Sequence, residues 1–128
     1  MEITVTSSQR NEMIDITGRI EETIRLSGVR EGLCYVFVPH TTAAVTINEN
    51  ADPSVRRDIL ATLSAVFPKD PSHEHLEGNS DAHIKSSLVG ASEIVAIEQG
   101  RLGLGTWQSV FFCEFDGPRT RKVLIRIL

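Results

Sequence analysis

The chain lacks most of the features that would assign it a class at sight. It has two cysteines in 128 residues, Cys34 and Cys113. Both fall inside apolar runs without C-x-x-C spacing, so neither a thiolate zinc site nor a thioredoxin-type pair is expected. They read as small core residues. Cations are also short: 13 Lys and Arg stand against 17 Asp and Glu, a formal net charge of −4. That balance argues against general affinity for nucleic acid or anionic membrane, because no excess of cations exists to displace counterions. No apolar run approaches the ~18 residues that would cross a bilayer. The opening M-E-I-T-V-T has neither a basic n-region nor an apolar h-region, and a cytoplasmic protein is expected. G-x-S-x-G and H-E-x-x-H are absent. The run from Gly100 to Thr106, G-R-L-G-L-G-T, neither matches G-x-G-x-x-G nor leads from a strand into a helix.

What is present has globular proportions, with 41% hydrophobic and 23% charged residues. One domain over residues 1–128 is expected, large enough to bury a core without disulfides. Alternation from Glu2 to Thr6 predicts a half-buried strand, and Asn11 to Thr17 a second. Thr17 is then expected to cap a short helix whose stripe is Ile20, Ile24 and Val29, ended by Gly28. Leu33 to Val38 reads as a central strand and Ala43 to Ile47 as the next, with a bend at Pro39. Asp52 followed by Pro53 starts the clearest helix, and Val55, Ile59, Leu60, Leu63 and Val66 form the stripe expected to face the sheet. After a polar loop from Lys69 to Ser80, Asp81 is expected to cap a helix over Ala82 to Val89. The last third reads as strands, Glu93 to Ile97, Gly105 to Phe115 and Arg121 to Leu128, with D-G-P-R as a hairpin turn between the final two. Strands at both ends with helices between predict an α+β fold on a mainly antiparallel sheet.

All four histidines lie in two polar connectors. His40 opens H-T-T-A-A-V-T-I-N-E-N-A-D-P, and His73, His75 and His83 lie within H-E-H-L-E-G-N-S-D-A-H-I-K. His40, His75 and His83 are candidate ligands for a divalent metal, because three neutral imidazoles leave an open coordination position; plain surface histidines are the alternative. Glu49, Asp52, Glu77 and Asp81 stand near them in sequence, although Asp52 and Asp81 are also explained as helix caps. Lys85 follows His83 in a helix first turn, where a phosphate would meet N–H dipoles and an ammonium. Arg101 is a second candidate for an anion. In the strand from Gly105, Trp107, Phe111, Cys113 and Phe115 share a face expected to be core. Gln108 and Glu114 share the other, able to line a pocket. Glu114 among apolar neighbours is either paired with an Arg or functional.

These segments, together with E-G-N-S-D-A-H-I-K-S-S-L-V-G and G-R-L-G-L-G-T-W-Q with C-E-F-D-G-P-R, resemble the YjbQ family, also called the secondary thiamine-phosphate synthase family. The likeness runs from about Thr6 onward. It implies a sandwich-like α+β subunit, a homotrimer with sites between subunits, and a weak capacity to form thiamine phosphate. In that reaction the nitrogen of a thiazole phosphate displaces pyrophosphate from hydroxymethylpyrimidine diphosphate. His40 and His83 fall on the family's histidine positions, while His73 and His75 compete for a third. Glu49, Gln108 and Glu114 also match and are expected to act in catalysis. Lys85 and Arg101 are expected to hold phosphate groups, beside a divalent ion, Zn²⁺ or Mg²⁺. Two other readings stay open, a metal-dependent hydrolase of a phosphorylated metabolite and a non-enzymatic trimeric module binding an anion or metal.

Overall fold

Side chains alternate across a strand, so the period-two pattern of each strand decides which face is buried. In the computed structural model, which describes residues 1–128, eight strands and three helices follow one another as β1 (Glu2–Thr6), β2 (Glu12–Asp15), α1 (Thr17–Ser27), β3 (Gly32–Phe37), β4 (Ala43–Glu49), α2 (Pro53–Val66), α3 (Ser80–Val89), β5 (Ser92–Glu98), β6 (Arg101–Leu102), β7 (Gln108–Glu114) and β8 (Thr120–Ile127). Five strands form one sheet in the order β1-β8-β3-β5-β6, and three form a second in the order β2-β7-β4. Every pairing is antiparallel. The α+β sandwich expected from the sequence is the architecture found.

Inward residues of both sheets meet in the main core. Val5, Val36, Val123 and Ile125 come from the larger sheet, Val45, Val110 and Phe112 from the smaller one, and Ile20 and Ile24 from α1. Each fully buried aliphatic side chain contributes about 1.5–3 kcal/mol. Cys34 and Cys113 are free buried thiols, and burial raises their pKa to about 11 and about 12, so they stay protonated. On the other face of the small sheet, Met13, Ala44, Phe111, Cys113 and Phe115 form a second core with Ala82 of α3.

Several expectations are corrected by this packing. Thr17 does not cap α1. It lies inside the helix, and its Oγ1 accepts a 2.8 Å hydrogen bond from the Val110 N–H, tying the helix to the small sheet. Asp52 does cap α2, accepting from the Ser54 N–H at 2.9 Å. The apolar stripe of α2 only half faces the sheet: Ile59, Leu60 and Leu63 pack there, while Val66 is exposed. Asp81 is not the cap of α3, a position held by Asn79. Asp81 is buried in the first turn instead. Trp107 lies outside the core, 64% exposed, because β7 begins one residue later.

The D-G-P-R turn is not a hairpin either, since β7 and β8 belong to different sheets. Asp116 to Arg119 carries the chain across the gap at one rim of the sandwich. Gly117 is required there by space. A Cβ on it would lie 2.3 Å from the Gln9 carbonyl oxygen and 2.6 Å from Ser7 Oγ.

Candidate functional site

The rim crossed by the Asp116–Arg119 turn is where the chemistry gathers. β3 ends at Phe37, and the ladder register with β8, continued two residues further, would set Pro39 against Lys122. No strand residue takes that place. His40 turns back and its Nε2 accepts the Lys122 N–H at 3.0 Å. An imidazole that accepts at Nε2 while neutral carries its proton on Nδ1, so His40 presents a donor on its other side. Burial lowers the His40 pKa, and the positive charge of Arg121 lowers it further, which keeps the ring neutral.

Behind His40 lies a buried ion pair. Period two turns Arg121 of β8 inward with Val123 and Ile125, and turns Glu114 of β7 inward with Phe112. Arg121 Nε donates to Glu114 Oε1 at 3.0 Å, and Nη2 donates to Oε2 at 2.5 Å and to Thr42 Oγ1 at 2.8 Å. Ser7 Oγ and the Asp116 N–H also donate to the carboxylate. Burial pushes the Glu114 pKa up, but these hydrogen bonds outweigh it and hold the group below the ordinary carboxylate range. The pair therefore stays charged, and it pins the His40–Thr42 segment to both sheets.

In front of the pair opens a cleft of about 630 Å³. It is lined by His40, His75 and His83 with Arg119, Arg121 and Asp116 among others. His75 and His83 stand edge to face with ring centroids 5.3 Å apart, and Glu77 Oε2 lies 4.0 Å from His75 Nε2. His73 does not line the cleft. Arg119 is held by Asp116, with its Nε on the Asp116 carbonyl and Nη2 on the carboxylate at 3.1 Å. The Nη1 groups of Arg119 and Arg121 make no hydrogen bond within the chain.

Other candidate residues are placed elsewhere. Lys85 is 1% exposed, its Nζ donating to Asn11 Oδ1 at 3.1 Å and Ser64 Oγ at 3.2 Å. Burial lowers its pKa against the raising effect of Asp81. It braces α3 against α2 and the segment before β2, beside the bidentate Arg10–Asp81 pair, and does not reach the cleft. Glu49 and Gln108 are paired at the far end of the β4–β7 ladder, six residues from the Ala43–Glu114 pair. At 3.4 Å per residue that is about 20 Å along the strands from Glu114 and the cleft end of the ladder. Gln108 Oε1 accepts from the Gly105 N–H there. Arg101 is exposed on another surface, 3.6 Å from Glu21. Arg119, Asn79 and Asp116 line the cleft without having been singled out from the sequence. The available signal was the alternation of β8, which sends Arg121 inward and places Arg119 at the turn before it.

No three His, Cys, Asp or Glu side chains converge at metal-binding distance. With His40 Nε2 already engaged, the donors do not fit a resident ion held by three imidazoles.

Fold and cleft define a class: a two-sheet antiparallel α+β domain with imidazoles and guanidiniums lining a cleft at one rim. A family model described as UPF0047 protein YjbQ-like matches residues 1–128. The UPF0047 protein YugU of Bacillus subtilis is 50% identical over 127 residues, covering 97% of this chain and 95% of that one. A UPF0047 protein of Methanocaldococcus jannaschii is 53% identical over 124 residues, covering 97% and 90%. The crystal structure of a conserved YjbQ/UPF0047 family protein from Clostridium acetobutylicum superposes with a TM-score of 0.97 at 53% identity, covering 100% of this chain and 99% of that one. The chain belongs to the YjbQ/UPF0047 family.

Proposed function

We propose that the protein is a slow, secondary thiamine-phosphate synthase, joining hydroxymethylpyrimidine diphosphate to a thiazole phosphate with release of pyrophosphate. The observation that carries this reading is the meeting of Arg119, Arg121 and the His40 Nδ1–H donor at one cleft beside His83. The reaction asks little of acid or base. The carbon–oxygen bond to the diphosphate breaks, its electron pair stays on the leaving group, and the thiazole nitrogen supplies the new bond. The protein's task is to hold the leaving group while its charge grows, and preorganised donors in a fixed position do this best. The free Nη1 groups of Arg119 and Arg121 and the Nδ1–H of His40 are such donors, braced by Asp116, Glu114 and the Lys122 N–H. A divalent ion arriving on the diphosphate would add charge neutralisation, with Glu77 as its protein contact. His83, packed edge to face against His75 in the cleft lining, is the imidazole assigned to the reacting carbon.

Assembly is part of the same reading. The outer face of the five-stranded sheet carries Leu33 and Ile94, exposed by 45% and 63%, beside the stacked Tyr35 and Phe37. An apolar sheet face of this kind suits a subunit interface. Phe37 also lines the cleft, so a neighbouring subunit of a homotrimer would border the site.

The test is the rate of thiamine phosphate formation by wild type beside His83→Ala, with Mg²⁺ present. A rate above background that drops ~100-fold, about 2.7 kcal/mol of transition-state stabilisation, is expected. Retained activity in both His40→Ala and His83→Ala would overturn the reading. Release of orthophosphate instead of pyrophosphate would turn it into a hydrolase.

A further inference from the structure

The cleft does not end at the histidines. A second depression of about 480 Å³ shares His40, Thr41, His83 and Ala91 with the first and adds Ala43, Ser86 and Ser87. The two lobes share His40 and His83 in their linings, and their chemistry differs. The first carries two guanidiniums and two carboxylates. The second carries no Lys, Arg, Asp or Glu.

The serines of the second lobe also have a fixed polarity. Ser86 Oγ donates to the Ala82 carbonyl at 2.8 Å and Ser87 Oγ donates to the His83 carbonyl at 2.9 Å. Each hydroxyl proton is engaged, so what remains is lone pairs, which accept. Both serines lie in the last half of α3, toward the negative end of the helix dipole. An anion placed there meets oxygen lone pairs and a carbonyl end, and no Lys or Arg of this chain lines the lobe to pair with it. A neutral ligand bearing an O–H meets acceptors.

We propose that the second lobe receives the nucleophile as an uncharged, hydroxyl-bearing heteroaromatic ring, so that the thiazole alcohol is a better acceptor than its phosphate ester. This rests on the synthase reading and extends it to the acceptor. The diphosphate lies in the arginine lobe, and the methylene carbon attached to it lies toward His40 and His83, which both lobes share. The ring nitrogen in the second lobe forms the carbon–nitrogen bond with its own lone pair. The carbon–oxygen bond breaks toward the diphosphate, no proton leaves the nitrogen, and the products are the unphosphorylated thiamine alcohol and pyrophosphate.

The experiment measures binding of the thiazole alcohol and of the thiazole phosphate to the full chain by calorimetry, for wild type and Ser87→Lys. Ser87 is exposed, so the substitution leaves the fold intact, which a melting curve checks. Wild type is expected to bind the alcohol at least tenfold more tightly. Ser87→Lys is expected to shift the ratio at least tenfold toward the phosphate. Equal or tighter binding of the phosphate by wild type, an unchanged ratio in Ser87→Lys, or no binding of either acceptor would overturn the proposal. Turnover with the diphosphate donor is read separately. Absence of pyrophosphate with both acceptors would sink the synthase reading, while the binding ratio would still decide what the second lobe prefers.

Discussion

Glu114 and Arg121 form the electrostatic joint between the two sheets, with Arg121 Nη2 2.5 Å from Glu114 Oε2 and side-chain exposures of 0% and 5%. They stand at the rim where the smaller sheet ends and the larger begins. The same guanidinium reaches Thr42 and the same carboxylate takes the Ser7 hydroxyl, so one buried pair fixes two further chain segments behind the cleft.

A buried pair of this kind resists the loss of one partner more than the loss of both. Glu114→Gln and Arg121→Met are each expected to destabilise the protein by about 3–5 kcal/mol. The double variant is expected to lose less than the sum of the two. Urea unfolding of the four proteins measures the coupling, and simple additivity would contradict the joint.

The pH dependence of stability between pH 8 and pH 5 should trace in part to His40, whose pKa is lowered in the fold by burial and by Arg121. As pH falls through about 6.5, the unfolded chain takes up this proton before the folded chain does, so stability drops. The loss ends once the folded ring is protonated too. His40→Gln keeps an acceptor for the Lys122 N–H and is expected to flatten the profile in that window. An unchanged slope in denaturant titrations at several pH values would speak against it.

Gly117→Ala is expected to cost more than a surface substitution, in the range of about 1–3 kcal/mol, because its Cβ would press on the Gln9 carbonyl and Ser7. The Ser7 hydroxyl is held between Glu114 and the Arg119 N–H, so it cannot retreat without breaking both bonds. Thermal melts give the cost. Diphosphate binding should weaken as well, since Arg119 is carried on this turn.

Ile94→Lys places a charge on the open apolar face of the larger sheet without touching the core. The expected outcome by light scattering is a trimer for wild type and a folded monomer for the variant. A trimer that survives the substitution would move the interface elsewhere.

Chelation should separate a resident ion from one delivered with substrate. Because no three donors converge, dialysis against EDTA is expected to leave the melting temperature unchanged. Added Mg²⁺ is expected to raise the rate of thiamine phosphate formation. A large fall in melting temperature on chelation would indicate a held metal.

Much of the fold was legible because its signals are local. Asp52 with Pro53 starts α2, Gly28 in the left-handed conformation ends α1, and the alternation of β8 buries Val123 and Ile125. Pairing is not local, and so the D-G-P-R turn reads as a hairpin although it joins two sheets. Caps failed for the same reason, because Thr17 and Asp81 found partners across the fold in Val110 and Arg10.

The site divides along that line. The sequence by itself determined the residue types and the histidines in two loops, and it set Glu114 opposite Phe111 and Cys113 on its strand; that the Glu114 face is the one between the sheets, buried with Phe112, came from the packing. Only the tertiary structure decided that His75, and not His73, faces His40 and His83, and that Arg119 and Arg121 join them. It also placed Lys85 in a buried brace and Gln108 and Glu49 at the opposite end of their strands. The physical reason is distance through space. Periodicity reports which face a side chain takes, while the order of strands and the crossing of the chain between sheets set which faces share a rim.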